Sequence, residues 1–408
     1  MSLDEVLLAQ KQGRARGIAS VCSSHPLVLR RALETFRYPL IEATCNQVNQ
    51  FGGYTGMTPA DFVALVRRIA ADVHPRLENV TLGGDHLGPY VWRSEPATNA
   101  MANAKALVEA YVKAGFTKLH LDCSMRLADD PAGGLGPEIA ARRAAELARV
   151  AEQSGGGALR YVVGTEVPRP GGATTVEEGP RVTECSDVRD TIDIHRTAFD
   201  DLGLQSAWQR VVAVVVQPGV EFGEGFVLPY RPESARQLSR FIEEYPMIYE
   251  AHSTDYQTRD ALKNLVLDHF AILKVGPALT FAYREAIFAL AMIENEWVTM
   301  DQRSDIMQVL DDAMMAQPGY WREYYRGTEH EQAFKRRFSL SDRVRYYWAQ
   351  PAVQVALDKL MHNLGHGTLP YSLSSQFLDQ TGLTAAQVIP WKIGKVLEDY
   401  SAACEEST

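Results

Sequence analysis

The segment with the clearest capacity for chemistry is residues 83–89, which read GGDHLGP. Asp85 and His86 stand between glycines, directly after a short apolar run. A carboxylate can move a proton, and an imidazole can hold a metal ion. The glycines leave space in which a ligand can approach. A capping aspartate beside a buried, hydrogen-bonded histidine is the alternative, but the position at a strand end favours the functional interpretation.

Polar residues recur where later apolar runs stop. Glu166 follows the fifth run, Gln217 the sixth and His252 the seventh. A carboxylate that leaves a buried strand is costly unless it is paired, hydrogen-bonded or bound to a metal, so an ion pair is the alternative for Glu166. A core histidine is the alternative for His252. The long, glycine-containing loop after Glu166 is typical of loops that close over a barrel active site.

Further candidates are less specific. Asp122, after the fourth run, could orient a substrate hydroxyl or cap the next helix, and Asn46 and Gln47 offer amide groups suited to a polyhydroxylated ligand. Lys274 lies inside the eighth run, where a Schiff-base lysine or a salt bridge inside a barrel would fit, and we favour the salt bridge. We assign most of the remaining histidines to surfaces, packing or caps; these are His74, His120, His195, His269, His330, His362 and His366. His25 is the exception to check, because it follows the first strand.

The elements that must position these residues alternate between strand and helix. The predicted strands are residues 17–22, 39–43, 79–82, 118–122, 160–164, 211–216, 247–250 and 271–275. Continuous apolar runs are typical of parallel strands buried on both faces, and helical patterns separate them. Eight such units favour a (β/α)8 TIM barrel over residues 1–295, with its active site at the carboxyl ends of the strands. The first strand has no glycine-rich phosphate fingerprint, which weakens the doubly wound alternative.

The remainder, residues 296–408, is predicted to be a helical extension packed on the barrel. It is rich in aromatic residues, and residues 342–364 form one long helical pattern that ends at Gly365. A module that binds a partner or covers the substrate is the alternative interpretation.

Composition limits the functional classes. With 41 Lys and Arg against 51 Asp and Glu, the net charge is −10, which argues against nucleic acid and anionic membranes as partners. The five cysteines are scattered without a CxxC pair, so neither a disulfide framework nor a zinc–thiolate site is indicated. No signal peptide and no apolar run long enough to span a membrane is found. We therefore expect a cytoplasmic protein.

Three motifs resemble those of a known family. They are GGDHLGP at residues 83–89, EAHSTDYQ at residues 250–257 and LKVGPALT at residues 273–280. Together with Glu166 they are similar to the class II, metal-dependent ketose-bisphosphate aldolases, and most closely to the accessory, noncatalytic subunits of tagatose-bisphosphate aldolase. The resemblance covers nearly the whole chain and implies a TIM barrel. Some members carry the label tagatose-6-phosphate kinase, but the sequence has no nucleotide-phosphate motif.

The resemblance also implies roles for residues. Asp85 would move the proton of the C4 hydroxyl, and His86 and His252 would bind zinc. Gln217 stands where the aldolases have a third histidine, and a glutamine is a weak zinc ligand. Glu166 could supply an oxygen ligand instead. The site could then prefer Mn²⁺ or Mg²⁺, bind a metal weakly, or be empty.

A second departure concerns phosphate. The aldolases have a glycine-rich, phosphate-cradling loop where this chain has Ser253 and Asp255. A carboxylate within about 5 Å of a phosphate costs about 1–3 kcal/mol, which argues against tight bisphosphate binding there. A phosphate could instead contact Gly276 and Thr280 after the eighth strand.

Three functions follow from these observations. The leading one is an accessory subunit of tagatose-1,6-bisphosphate aldolase, bound to a catalytic subunit. The second is a metal-dependent aldolase or 4-epimerase of a ketose or ketose phosphate, acting by retro-aldol chemistry. A sugar kinase is the third and is disfavoured. A divalent metal, a small sugar ligand and a homo-oligomer are expected, without a nucleotide or flavin.

Overall fold

Eight parallel strands form the closed barrel that the sequence predicts. The computed structural model describes residues 1–73, 77–132, 135–164 and 181–405. The barrel strands are β1 (Ile18–Cys22), β2 (Leu40–Thr44), β3 (Thr81–Leu87), β4 (Lys118–Leu121), β5 (Arg160–Val163), β6 (Val211–Val216), β9 (Ile248–Ala251) and β10 (Phe270–Val275). Their order around the barrel is β1-β10-β9-β6-β5-β4-β3-β2. Two short strands outside the barrel, β7 (Glu221–Phe222) and β8 (Val227–Leu228), form an antiparallel pair that was not predicted.

Helices follow every barrel strand, as a parallel sheet requires. The helices up to the end of the barrel are α1 (Leu3–Lys11), α2 (Pro26–Thr35), α3 (Pro59–Val73), α4 (Ala97–Ala114), α5 (Pro137–Gly155), α6 (Cys185–Asp201), α7 (Gln205–Trp208), α8 (Pro232–Ile242), α9 (Arg259–Leu267) and α10 (Pro277–Trp297). The first helix, α1, precedes the barrel and begins with a capping box at Ser2. Leu3 and Val6 of this helix pack against the buried bases of several strands, so α1 covers the amino-terminal end of the barrel.

The third strand is longer than predicted. The predicted strand ends at residue 82, whereas β3 continues to Leu87 and so contains Asp85 and His86. All residues from Leu82 to Leu87 are buried. The two glycines of the motif lie in the ladder, at positions where a side chain has no space. A Cβ at Gly83 would lie 2.6 Å from Glu42 Oε1, inside the barrel.

The residues after α10 are mainly helical and pack on the barrel. They form α11 (Ile306–Ala316), α12 (Glu329–Phe338), α13 (Pro351–Leu364), α14 (Tyr371–Leu378) and α15 (Ala385–Cys404). The last of these packs against α2, α9 and α10, and its buried side chains belong to the same hydrophobic core as those of the barrel helices. The proposed division into a barrel at 1–295 and an extension at 296–408 stays a prediction.

One predicted helix is shorter in the structure. The pattern at 342–364 is divided into a single 3₁₀ turn, Arg343–Tyr346, and α13, which begins at Pro351. Proline cannot donate the hydrogen bond that a continuous helix needs, so it stands at the first turn of the second helix. The interruption matters because it turns Arg345 and Tyr346 toward the barrel mouth, where they line a cavity. No helix in the described part of the chain has the length and apolar character needed to cross a membrane.

Candidate metal centre and adjoining cavity

Asp85 and His86 are neighbours in β3, yet both reach the mouth of the barrel. In a regular strand, adjacent side chains point to opposite faces. Here the register between β3 and β4 shifts after Gly84, and His86 has a φ of 48°, in the left-handed region. A shift of this kind adds local twist and re-aims a side chain. As a result, His86 Nε2 lies 3.7 Å from Asp85 Oδ1.

Three imidazole rings meet at this point. His86 lies in β3, His120 in β4 and His252 directly after β9. The ring centres of His86 and His120 are 4.9 Å apart, those of His86 and His252 are 5.0 Å apart, and those of His120 and His252 are 5.1 Å apart. Together with Asp85, each residue offers a ligand atom within 4.8 Å of the others. The two imidazoles predicted from the sequence, those of His86 and His252, therefore do converge.

Each ring has a carboxylate on one of its two nitrogens. The pairs are His86 Nδ1 with Asp122 Oδ2, His120 Nδ1 with Asp85 Oδ1 and His252 Nε2 with Glu250 Oε1, all at 2.9 Å. In His86 and His252, a proton on the paired nitrogen, donated to the carboxylate, leaves the lone pair of the other nitrogen free. Histidines that bind metals in proteins are usually oriented in this way. The Nδ1 atom of His120 differs in that it also accepts a hydrogen bond from the backbone N–H of His86 at 3.2 Å.

The donor set fits a divalent metal ion. His120 Nε2 is buried and has no hydrogen-bond partner among the described residues, although an unpartnered buried nitrogen is costly. With metal–nitrogen distances of about 2.0–2.1 Å and tetrahedral angles, three imidazole centres should lie about 5 Å apart, as they do here. Three nitrogens and one carboxylate oxygen are donors that zinc accepts. Glu166, the predicted oxygen ligand, lies outside the described residues.

Charge states in the cluster suit metal binding. Burial, followed by the charge of Lys274, lowers the pKa of His120 to about 4 and that of His252 well below its usual value. Neutral imidazoles are the form that binds a metal. Burial opposes ionisation of Asp85, but His86 and Lys274 outweigh it and hold the pKa of this carboxyl well below its usual range. Asp85 is therefore a carboxylate.

Charged residues below the cluster hold these groups in place. Lys274 forms an ion pair with Asp85 and a second one, at 3.1 Å, with Glu250. The expected salt bridge inside the barrel is thus present. Lys118, fully buried in β4, lies 2.5 Å from both Glu42 Oε1 and Glu250 Oε2. Glu250 links the two lysines to the metal cluster because its other oxygen contacts His252.

His120 belongs to the cluster without having been predicted there, and the side-chain oxygen of Gln217 has partners within its own loop. His120 was assigned to a surface, packing or a cap, whereas it is fully buried within the cluster. A signal was available: side chains alternate along a strand, so the singled-out Asp122 implied that His120 shares its face. Gln217 Oε1 accepts hydrogen bonds from the backbone of Gly219 and Val220, so its oxygen is engaged within its own loop. The third imidazole comes from β4 instead.

A cavity of about 740 Å³ opens from the cluster toward the C-terminal helices. Most of the predicted contact residues line it: Asn46, Gln47, Asp85, His86, His252, Ser253, Asp255, Lys274, Gly276 and Thr280. Asp122 does not line the cavity, because it lies behind the His86 ring and holds it. His25 does line it, with its ring centre 4.3 Å from that of Tyr283 and a buried Nδ1 that has no partner among the described residues.

Asp255 has a partner that the sequence did not suggest. Its Oδ1 accepts hydrogen bonds from Gly276 N at 3.0 Å and Ala278 N at 2.8 Å, at the start of α10. These are the amides after the eighth barrel strand, where many barrels bind phosphate. The expected phosphate contact of Gly276 through its amide is thus occupied by a side chain of the protein. Burial raises the pKa of Asp255 to about 6.

Comparison with known proteins gives a consistent family. A family model described as "D-tagatose-1,6-bisphosphate aldolase subunit GatZ/KbaZ-like" matches residues 3–405. The chain is 52% identical to the GatZ subunit of Salmonella paratyphi B over 92% of this chain and 90% of that protein. It is 49% identical to GatZ of Klebsiella pneumoniae over the whole of both chains. A crystal structure titled as a probable tagatose 6 phosphate kinase from Sinorhizobium meliloti is similar, with a TM-score of 0.87 and 45% identity over 95% of this chain and 100% of that one. With this extent of similarity, and with a closed barrel, the chain belongs to the D-tagatose-1,6-bisphosphate aldolase subunit GatZ/KbaZ-like family.

Proposed function

We propose that this chain works in ketose metabolism as a subunit of a tagatose-1,6-bisphosphate aldolase. Its membership of the GatZ/KbaZ-like family along residues 3–405 carries this proposal. The relatives in Salmonella and Klebsiella are named as subunits of that aldolase. A catalytic aldolase subunit is therefore the proposed partner. Homo-oligomer formation and a cytoplasmic location stay predictions.

The proposed ligands are a divalent metal ion and a ketose or ketose phosphate. His86, His120 and His252 would hold the metal with Asp85 beside it, and their nitrogen-rich donor set favours zinc. The cavity next to these residues has the size of a small-molecule site. Asn46, Gln47, Ser253 and Thr280 line it with polar groups that can bind sugar hydroxyls. Glu166 remains a proposed further oxygen ligand.

Catalysis by the chain itself is the second candidate, and the intact cluster favours it. A metal ion bound here would polarise the C2 carbonyl of a ketose. Asp85, which contacts Lys274 and His120, would take the proton of the C4 hydroxyl. The C3–C4 bond then breaks, giving an aldehyde and an enediolate. Addition of the enediolate to the other face of the aldehyde, with return of the proton from Asp85, gives the C4 epimer.

One assay separates the candidates. The purified chain, treated with EDTA or reloaded with Zn²⁺ or Mn²⁺, is given tagatose, fructose and their phosphates, with and without a catalytic aldolase subunit. An accessory subunit raises the activity or stability of the catalytic subunit and turns over no ketose alone. An enzyme converts a ketose alone and loses this activity with Asp85→Asn. Formation of a sugar phosphate only when ATP is present would revive the kinase interpretation.

The matched control is Asp72→Asn. Asp72 is an exposed aspartate whose side chain pairs with Arg30, and neither residue lines the cavity. This variant should behave as the wild type in every arm. If the chain turns over no ketose, does not affect the catalytic subunit and does not bind to it, both candidates are wrong.

A further inference from the structure

The cavity is completed by a residue from outside the barrel. Arg345 and Tyr346, in the 3₁₀ turn after α12, line it together with Trp348. Of the lysines and arginines in the described part of the chain, Lys274 and Arg345 line the cavity. Lys274 is neutralised by ion pairs with Asp85 and Glu250. Arg345, in contrast, forms no ion pair with a described residue, so the role of its charge at the cavity wall needs an explanation.

Arg345 has hydrogen-bond partners but no carboxylate in ion-pair contact among the described residues, because Asp342 and Asp255 act on its charge only from a longer distance. Its Nη1 donates to the backbone carbonyls of Ser341 and Asp342, and its Nη2 donates to Tyr346 Oη at 3.0 Å. All three acceptors are neutral. Among the residues that the structure describes, no carboxylate forms an ion pair with this guanidinium. Nε and one hydrogen of Nη2 donate to none of these residues either.

Two buried arginines of the same region, Arg284 and Arg336, are paired with carboxylates, whereas the buried Arg343 packs on the Tyr324 ring and does not line the cavity. Arg284 contacts the Asp342 carboxylate at 2.9 Å, and Arg336 contacts that of Asp311 at 2.7 Å. A sheltered charge without a partner is costly, so natural proteins pair such groups or use them for a ligand. An arginine with free donors at a cavity wall suits a phosphate or carboxylate, which it can bind with two hydrogen bonds.

The usual place for a phosphate in a barrel is already filled. Asp255 occupies the amides of Gly276 and Ala278 at the start of α10. A phosphate would have to displace this carboxylate, and the two negative charges would repel each other if it did not. The anionic end of a ligand in this cavity must therefore be held by another group.

We propose that Arg345 is the anion-binding residue of this cavity, holding the terminal phosphate or carboxylate of an open-chain sugar in place of the α10 amides that Asp255 occupies. The C-terminal segment would thereby complete the ligand site of the barrel and select charged over neutral ketoses. This inference rests on the proposed function in one respect, namely that a ketose binds in the cavity.

The test compares binding to Arg345→Gln with binding to the wild type by calorimetry. The ligands are tagatose, tagatose 6-phosphate, tagaturonate and inorganic phosphate alone. We expect the variant to bind tagatose 6-phosphate about 10- to 100-fold more weakly and to lose binding of inorganic phosphate, since charge-assisted hydrogen bonds are lost. Affinity for tagatose should change less than about twofold, because a neutral ketose lacks the anionic group. If the variant also loses affinity for tagaturonate, the site binds anions in general. If its affinity for tagaturonate is unchanged, the site is specific for phosphate.

Two further variants serve as a control and as a conservative substitution. Arg343→Gln removes an arginine from the same turn that packs on the Tyr324 ring and does not line the cavity, so it should leave the phosphate preference unchanged. Arg345→Lys keeps the charge and loses the fork, and it should give an intermediate, phosphate-selective loss even if Arg345→Gln does not fold.

The outcomes separate this inference from the proposed function. Equal weakening for tagatose and tagatose 6-phosphate, or no weakening for either anion, overturns the role of Arg345 while ketose binding stands. Binding of inorganic phosphate that depends on Arg345, without binding of any ketose, supports the anion site and overturns the ketose ligand. If the wild type binds neither inorganic phosphate nor any of the sugars, both ideas are wrong.

Discussion

Replacing Lys118 by methionine should destabilise the protein strongly. The Lys118 side chain is 1% exposed, and both of its carboxylate partners, Glu42 and Glu250, are fully buried. Burial alone would lower the pKa of Lys118, but Glu250 and Glu42 raise it above its usual value, so the lysine is charged. The variant leaves two buried carboxylates without this cation.

The size of the effect follows from burial. Removing one partner of a buried ion pair costs about 3–5 kcal/mol. With 408 residues and about 2.1 cal/mol/K of unfolding entropy per residue, this cost corresponds to a fall in Tm of about 3–6 °C. Since Glu250 also holds His252, metal affinity should fall as well.

The assay is thermal unfolding by calorimetry, with Lys113→Met as the matched control. Lys113 also pairs with a glutamate, Glu109, but the two side chains are 63% and 46% exposed. An exposed pair of this kind contributes less than about 1 kcal/mol, so Tm should change by about 1 °C or less. Adding Glu42→Gln to Lys118→Met should recover part of the loss, because it removes one unpaired charge. Equal effects of the two lysine variants would refute the reasoning.

Three further predictions concern the site. A metal ion at 100 times its Kd should raise the Tm of the wild type by about 3 °C, and His120→Asn should abolish this rise. The control His195→Asn, at a buried helix position outside the cluster, should keep the rise. An unchanged rise in the His120 variant would exclude His120 as a ligand. Asp122→Asn should weaken metal binding about 10- to 100-fold in a competition titration with a chelator, because it removes the carboxylate that orients His86, and full affinity would contradict that role. The pKa of Asp255 is raised from 3.8 to about 6, so the folded state binds its proton more tightly, and the resulting stability is present below about pH 4 and lost as pH rises through 6. Asp255→Asn should therefore gain up to about 3 kcal/mol over the wild type between pH 4 and pH 7 in urea unfolding, and a pH-independent difference would show that the carboxyl is not perturbed.

The strands and part of the site were readable in the sequence because their signals are local. Parallel strands buried on both faces must be apolar along their length, and residues 211–216 read VVAVVV for this reason. Polar residues that follow such runs can then be assigned to one rim of a barrel. Asp85, His86 and His252 were found in this way, and the structure brings them together.

The errors came from features that are not local. The predicted end of β3 was too early, because the reason for Gly83, which is the space that Glu42 needs inside the barrel, is visible only when β2 lies beside β3. His120 was overlooked although Asp122, two residues further along, indicated which face of the strand its side chain shares. Its position becomes meaningful only when β4 lies beside β3 and its ring meets that of His86.

The amino-acid sequence by itself determined the alternation of strands and helices, since burial of each strand is expressed in its own residues. The tertiary structure alone decided which side chains meet. The bulge at His86 sets the direction of its ring, the register of β4 supplies the third imidazole, and the break before Pro351 brings Arg345 to the cavity. Each of these depends on contacts between segments that are far apart in the chain, and the free energy of such contacts is not encoded in any single segment.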